Sequence, residues 1–307
     1  MVNIPGAVAL IFEFIWTLIK VNIEIIRGIW RTIVPPEPKD VSNEIVLITG
    51  TGHGIGREMA LRFARLGSTV ICVDINPTTN EETAQMIKAE KGKARTYQCD
   101  VTNRAAVMEL AEKVAREIGD VSILVNNAGI MPCKPLLEQT EQEIKLMNDI
   151  NINANLWTLQ AFLPAMITRN HGHIVAMSSM AGMMGLRNLV PYCGSKFAVR
   201  GIMEALAVEL WDDPRGLRGI KLTTICPYIV DTGLCKKPRI RFDNLMRVIK
   251  PDEAAEMIVD AVRREVTEIS IPPELHYGVR YNYWLIPFRA MYVWNTFLNA
   301  GVDAHED

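Results

Sequence analysis

The chain has 307 residues, 49 % hydrophobic and 22 % charged, with a formal net charge of −2. That length admits one large α/β domain or two small ones. The near-neutral balance carries neither the basic excess of a nucleic-acid binder nor an acidic partner-binding arm, and the six cysteines (Cys72, Cys99, Cys133, Cys193, Cys226, Cys235) form no C-x-x-C pair, which points to reduced thiols in a cytosol-facing domain and to no metal site.

The first predicted element spans residues 4–34, IPGAVALIFEFIWTLIKVNIEIIRGIWRTIV. Its charges, Glu13, Lys20, Glu24, Arg27 and Arg31, fall on one helical stripe. The wide remaining face carries Phe12, Ile15, Trp16, Ile19, Ile23, Ile26, Ile29 and Trp30. A spanning helix needs about 20 residues with few charges, and the longest uncharged run here is Met1 to Phe12. A narrow polar stripe on a broad apolar face suits a helix lying in a membrane interface. The alternative is a helix packed on its own domain or on a partner chain. A cleaved signal peptide fits poorly, because the basic leading region is missing. Pro35 to Asp40, PPEPKD, reads as a stiff linker.

Ile45 to Thr49 is a continuous apolar, β-rich run and predicts a buried strand. A turn with Gly50, Gly52, Gly54 and Gly56 follows, then a helical pattern that stops at Gly67, then the strand TVICVD ending in Asp74. This is one βαβ unit of a doubly wound nucleotide-binding fold. The glycines let the backbone approach a pyrophosphate, and the helix N-terminus supplies N–H donors. Asp74 lies where a carboxylate accepts both adenosine ribose hydroxyls and repels a 2′-phosphate, which favours NAD over NADP. His53 and Arg57 are a mild counter-signal, as cations near that loop.

Downstream, strands are predicted at ARTYQCDV with Asp100 at its end, SILVNNAG (Ser122 to Gly129), GHIVAMSS (Gly172 to Ser179), IKLTTICP (Ile220 to Pro227) and TEISIP (Thr267 to Pro272). Helical patterns fill the gaps at Arg104 to Ile118, Glu141 to Arg169, Pro191 to Trp211 and Pro251 to Val266. Alternating β and α predicts an α/β fold, a doubly wound parallel sheet covered on both faces, with ligands at the carboxyl ends of the strands. Within the Pro191 helix, Tyr192 and Lys196 stand one turn apart on one face. A neighbouring ammonium favours phenolate and would make Tyr192 a usable acid or base near neutral pH.

These residues resemble the short-chain dehydrogenase/reductase family over roughly Glu44 to Ile271. The pattern T-G-x-x-x-G-x-G appears as Thr49, Gly50, Gly54 and Gly56; N-N-A-G as Asn126 to Gly129; Y-x-x-x-K as Tyr192 and Lys196, with Ser179 thirteen residues earlier. The helix asparagine of the family is best matched by Asn151, with Asn153 the second candidate. The resemblance implies a Rossmann fold and hydride transfer between nicotinamide and an alcohol carbon. Tyr192 would be the general acid/base, Lys196 would lower its pKa, Ser179 would hold the substrate oxygen, and Asn151 would position a water toward Lys196. It places the cofactor against Thr49, Gly50, Gly54, Ile55, Gly56, Asp74, Asp100, Val101, Asn127, Ala128, Gly129, Tyr192, Lys196, Pro227 and Thr232. It also implies a homodimer through the helices holding Asn151 and Tyr192. One departure stands out: the family often has Pro-Gly after the sixth strand, and here Tyr228 follows Pro227.

The segments expected to line the substrate pocket carry Met131, Met180, Met183, Met184, Leu186 and Leu189, an apolar and deformable set. Leu275 to Ala300 holds Tyr277, Tyr281, Tyr283, Trp284, Phe288, Tyr292, Trp294 and Phe297, with Arg280 and Arg289 among them. It would be a second membrane contact beside the pocket mouth, or a helix closing the sheet or a dimer contact. The expected organisation is an anchor and linker over residues 1–38, an NAD-binding domain over 39–272 and an aromatic-rich segment over 273–307. The pattern is similar to the membrane-associated retinol and 17β-hydroxysteroid dehydrogenase branch of the family. That implies a lipophilic alcohol or carbonyl substrate, of retinoid, steroid or other lipid type, and an endoplasmic reticulum or lipid-droplet surface. The competing expectations are an NAD-binding scaffold of little activity and an NADPH-dependent carbonyl reductase.

Overall fold

The computed structural model describes residues 4–241, 247–298 and 301–304. The chain divides into two compact units, Met1–Lys39 and Asp40–Asp307. The first unit holds helix α1 (Ile4–Ile33), with Glu24 and Arg27 paired at 2.6 Å along its polar stripe and Phe12, Trp16 and Trp30 among its exposed side chains. Among the described residues, no helix is long and apolar enough to cross a membrane.

The second unit alternates strand and helix: β1 (Ile45–Thr49), α2 (Gly54–Arg65), β2 (Thr69–Asp74), α3 (Pro77–Ala89), β3 (Lys93–Gln98), α4 (Arg104–Glu117), β4 (Ile123–Asn126), α5 (Glu141–Asn148), α6 (Ala154–Arg169), β5 (Gly172–Met177), α7 (Val190–Asp212), β6 (Ile220–Pro227), β7 (Pro238–Arg239), α8 (Pro251–Arg263), β8 (Glu268–Ile271), α9 (Glu274–Leu285), α10 (Phe288–Leu298) and β9 (Gly301–Val302). The main sheet runs β3-β2-β1-β4-β5-β6-β8, every neighbouring pair parallel. The order reverses between β1 and β4, which opens a crevice at their carboxyl ends.

Both faces of the sheet are covered, so its inner strands β1, β2 and β4 are largely apolar and their side chains alternate between two cores, while the edge strand β3 (KARTYQ) is largely exposed. Val46, Ile48, Val70 and Cys72 pack with Met59 and Phe63 of α2 and Ile258 of α8. Leu47, Ile71 and Leu124 pack the other way, with Val114 of α4, Phe162 of α6 and Val199 of α7. Phe63 is fully buried, so its truncation to Ala costs about 3–5 kcal/mol. Helix α2 stops where the pattern places it. Gly67 takes φ +89, and its N–H and that of Ser68 bond back to Ala64 and Phe63.

Three elements differ from the sequence-based expectation. The helix expected over Glu141 to Arg169 is interrupted: α5 and α6 are joined by one π-helical stretch, Asp149–Asn153. β3 stops at Gln98, and Asp100 lies in the turn beyond it, where its carboxylate caps Thr102. β9 pairs antiparallel with β7 and brings Val302 into a core with Tyr192, Leu189 and Met131. Of the C-terminal aromatics, Tyr292, Trp294 and Phe297 are exposed on α10; the side chains of Tyr277, Tyr281, Tyr283, Trp284 and Phe288 lie outside the described set.

Candidate active site

The crevice between β1 and β4 is built from loop backbone. Gly50 has φ +72 and Gly54 φ +58, a region open to glycine without a Cβ penalty. A Cβ on Gly56 would run into the Gly50 carbonyl. His53, at the N-cap of α2, makes no side-chain capping bond, so the first-turn N–H groups of α2 are left for an anionic ligand. Gly50, Gly54, Ile55 and Gly56 line this cleft, as do Asp74, Asp100, Val101, Asn127, Ala128, Gly129 and Thr232. Its wall also includes His53, noted above as a cation near the loop, and Ile75, Cys99 and Ile150, which the motif did not point to.

Thr49 takes a different place from the one expected. It is buried behind the cleft, and its hydroxyl accepts from the N–H of Asn127 (3.0 Å) and Ala128 (3.1 Å). Asn127 answers by donating to the carbonyl of Thr49 at 2.9 Å. The pair locks the ends of β1 and β4 together. The Asp74 carboxylate accepts from Gly52 N (2.8 Å) and Asn76 N (2.9 Å), which fixes it at the cleft edge. Arg57 turns away: its guanidinium donates to Thr83 Oγ1 at 3.0 Å, to the Gly52 carbonyl and to Glu82 at 3.3 Å.

Deeper in, Ser179 follows β5, while Tyr192 and Lys196 sit on the first turns of α7, with Pro191 at its start. Ser179 Oγ accepts from Ala181 N at 3.1 Å and donates to the Pro227 carbonyl at 3.4 Å. Lys196 Nζ donates to the Met177 carbonyl at 2.8 Å and stands 5.6 Å from the Tyr192 ring centre. Asn151, in the π-helical stretch, accepts from Ile130 N and donates to Ile130 O, both at 3.0 Å, and to Ser195 Oγ at 3.0 Å; Ser195 in turn donates to the Tyr192 carbonyl at 2.8 Å. The wider π turn aims Asn151 across the loop after β4. Asn153 instead donates to Asp149 at 2.8 Å. A Cβ on Gly129 would lie 3.3 Å from Asn151 Oδ1 and 3.5 Å from Lys196 Nζ, so this glycine keeps both polar ends close to the cleft.

Asn151, Ser179, Tyr192 and Lys196 are all at most 8 % exposed. That burial acts on both titratable groups. Desolvation pushes the Tyr192 phenol up to about 12, opposed by the Ser179 hydrogen bond, and pushes Lys196 down to about 8. The ammonium is turned to the Met177 carbonyl, and burial sets the direction at the phenol.

The short chain dehydrogenase family model matches residues 44–241. The chain is 42 % identical to human epidermal retinol dehydrogenase 2 over 80 % of its length and 79 % of the relative's. The chain is a short-chain dehydrogenase. It is also similar to human 17-beta-hydroxysteroid dehydrogenase 13, at 36 % identity over 96 % of both chains. A solved metagenomic short-chain oxidoreductase in complex with NADP superposes with a TM-score of 0.64 at 26 % identity, over 76 % of this chain and 97 % of that one.

A short-chain dehydrogenase is an oxidoreductase acting on CH–OH groups, and the glycine cradle, the uncapped α2 terminus and the Asp74 carboxylate fit a nicotinamide dinucleotide. A second cavity adjoins the cleft and shares Ile55, Asn127, Gly129, Ile130, Thr232 and Leu234 with it. Ser179, Tyr192, Lys196 and Pro227 line this second cavity. So do Met131, Met180, Met184, Leu186 and Leu189, whereas Met183 is buried beneath the wall with Met180 and Cys226. Tyr228, Leu275, Val279, Gly301 and Val302 are also part of the wall. The aromatic-rich stretch after β8 pointed to a place beside the pocket mouth, and α9 lies in the cavity wall; the part played by β9 carried no motif.

Proposed function

We propose that this short-chain dehydrogenase interconverts a lipophilic alcohol of retinoid or steroid type with its carbonyl, using NAD(H), at a membrane or lipid-droplet surface facing the cytosol. The observation that carries this reading is the apolar wall of Met131, Met180, Met184, Leu186, Leu189 and Val302 in the cavity that Ser179 and Tyr192 also line. Such a wall favours a hydrocarbon body with one reacting oxygen among the few hydrogen-bonding groups. The names of the two human relatives, a retinol and a 17-beta-hydroxysteroid dehydrogenase, support the same class.

The bound nicotinamide would supply the hydride acceptor or donor. The rest is the work of this chain's side chains. Ser179 Oγ would hold the substrate oxygen, because its partner Pro227 O is 3.4 Å away and leaves it free to turn. Tyr192, protonated at neutral pH by burial, would donate to a carbonyl oxygen in reduction and take the proton back in oxidation. Lys196 and Asn151, on either side of Gly129, would hold the proton path and the nicotinamide ribose side of the cleft. Asp74 supports NAD, since its carboxylate sits where a 2′-phosphate would be repelled. Helix α1 supports surface attachment through its broad apolar face. A homodimer through α6 and α7 is part of the same reading.

The test is initial rate with NAD and with NADP for retinol, a 17β-hydroxysteroid, a long-chain alcohol and a small polar alcohol. The reading requires NAD-linked turnover of a lipophilic member. Preference for the small polar alcohol, or for NADP throughout, overturns it.

A further inference from the structure

Tyr228 stands where the family often has glycine, and it follows the carbonyl that accepts from Ser179. Its backbone N–H bonds Ile271 O at 2.8 Å, so its place at the end of β6 is set by the sheet. Its ring packs against the buried cluster of Met180, Met183 and Cys226, as do Leu275 and Val279. It lines the substrate cavity and not the dinucleotide cleft. Its hydroxyl oxygen is shielded from solvent and has no hydrogen-bond partner among the described residues.

Three other polar groups on this wall are engaged. Ser178 Oγ donates to Lys196 O at 2.8 Å, Lys196 Nζ to Met177 O at 2.8 Å, and Asn127 Nδ2 to Thr49 O at 2.9 Å. A buried hydroxyl without a partner is destabilising, and a ligand oxygen that reaches it removes that cost while satisfying itself. Burial raises the Tyr228 phenol to about 12, so it remains a donor at neutral pH.

We propose that Tyr228 is a specificity-determining residue that donates a hydrogen bond to a second oxygen of the substrate, one remote from the reacting carbon. The cavity would then select lipophilic alcohols or ketones that carry such an oxygen over those that are hydrocarbon elsewhere. The inference rests on the reading of this cavity as the substrate site. Sites that hydrogen-bond a substrate group discriminate strongly against the analogue lacking it, because their own polar group is then left unpaired.

The experiment is equilibrium binding of a matched steroid pair to the full chain in detergent. One member is a 17β-hydroxyandrostane with an oxygen at position 3, the other the same steroid without it. The wild type should bind the oxygenated member roughly tenfold more tightly. Tyr228→Phe should bring that ratio close to one, weakening only the oxygenated member. It should melt at or above the wild-type temperature, since the hydroxyl it loses has no partner among the described residues. An unchanged ratio, no binding of either steroid, or a markedly lower melting temperature overturns the proposal. Turnover is read in parallel: discrimination lost in Tyr228→Phe with no turnover by either protein supports the role of Tyr228 and counts against the catalytic reading alone.

Discussion

Lys196 lies 5.6 Å from the centre of the Tyr192 ring yet points its ammonium at the Met177 carbonyl, 2.8 Å away. The two groups share a buried space, and burial moves them in opposite directions, Tyr192 up to about 12 and Lys196 down to about 8.

Ultraviolet titration reads this directly. Between pH ~8 and ~10, ligand-free wild type and Tyr192→Phe should show the same tyrosinate absorbance, because the phenol stays protonated. Extra tyrosinate in the wild type with a midpoint below pH ~9 would contradict the burial argument. The linkage has a definite sign. The fold holds the Lys196 proton more weakly than the unfolded chain does, so this group's contribution to stability rises from pH ~8 to ~10.5. The fold holds the Tyr192 proton more tightly, so that contribution is present below pH ~10 and is lost toward ~12.

Asn151 joins three elements: the π-helical stretch, the Ile130 backbone and Ser195 on α7. Asn151→Ala leaves several buried polar groups without partners. It should cost about 2–3 kcal/mol and lower the melting temperature by roughly 5 °C or more. It should also reduce kcat, since Ser195 donates to the backbone of Tyr192. A variant with wild-type melting and rate would show that the contacts to Ile130 and Ser195 do not position the site.

Asp74 and Arg57 make opposite predictions about the cofactor. Asp74→Ala should lower kcat/KM with NAD by roughly 10–100-fold, the worth of charge-assisted bonds to two hydroxyls, and should spare NADP. Arg57→Ala should change the NAD to NADP ratio little, because its guanidinium is already engaged by Thr83 and Glu82. Equal loss with both cofactors in Asp74→Ala would refute the assignment.

Removal of residues 1–38 should free the chain from liposomes while leaving it folded, since the unit Asp40–Asp307 contains its own cores. Flotation with and without α1, checked by circular dichroism, decides this. Continued flotation of the shortened chain would move the anchor to the exposed aromatics of α10.

Much of this was legible because it is local. The glycine turn, the strand to Asp74 and the Tyr192–Lys196 spacing each lie within a few residues, and backbone sterics and helical period read them directly. What was not legible depends on contacts far along the chain. The helix holding Asn151 looked continuous; the π turn at Asp149–Asn153 accompanies side-chain bonds to Ile130 and Ser195, which no periodicity encodes. Thr49 reads as a cofactor contact in the motif, yet its hydroxyl faces Asn127 and Ala128, 78 and 79 positions on. The net direction at Tyr192 depends on burial, which the sequence hides while it shows the neighbouring lysine. β9 is two residues long, and its place over Tyr192 comes from pairing with β7 and from Val302 packing.

The most direct test of the account is Tyr192→Phe in steady-state oxidation of a lipophilic alcohol by the full chain with NAD, with cofactor affinity measured alongside. The account predicts a loss of kcat of at least ~100-fold, the lower end for a general acid/base, with the NAD dissociation constant within a few-fold of wild type. A variant that retains kcat within about tenfold would contradict the assignment of proton transfer to Tyr192.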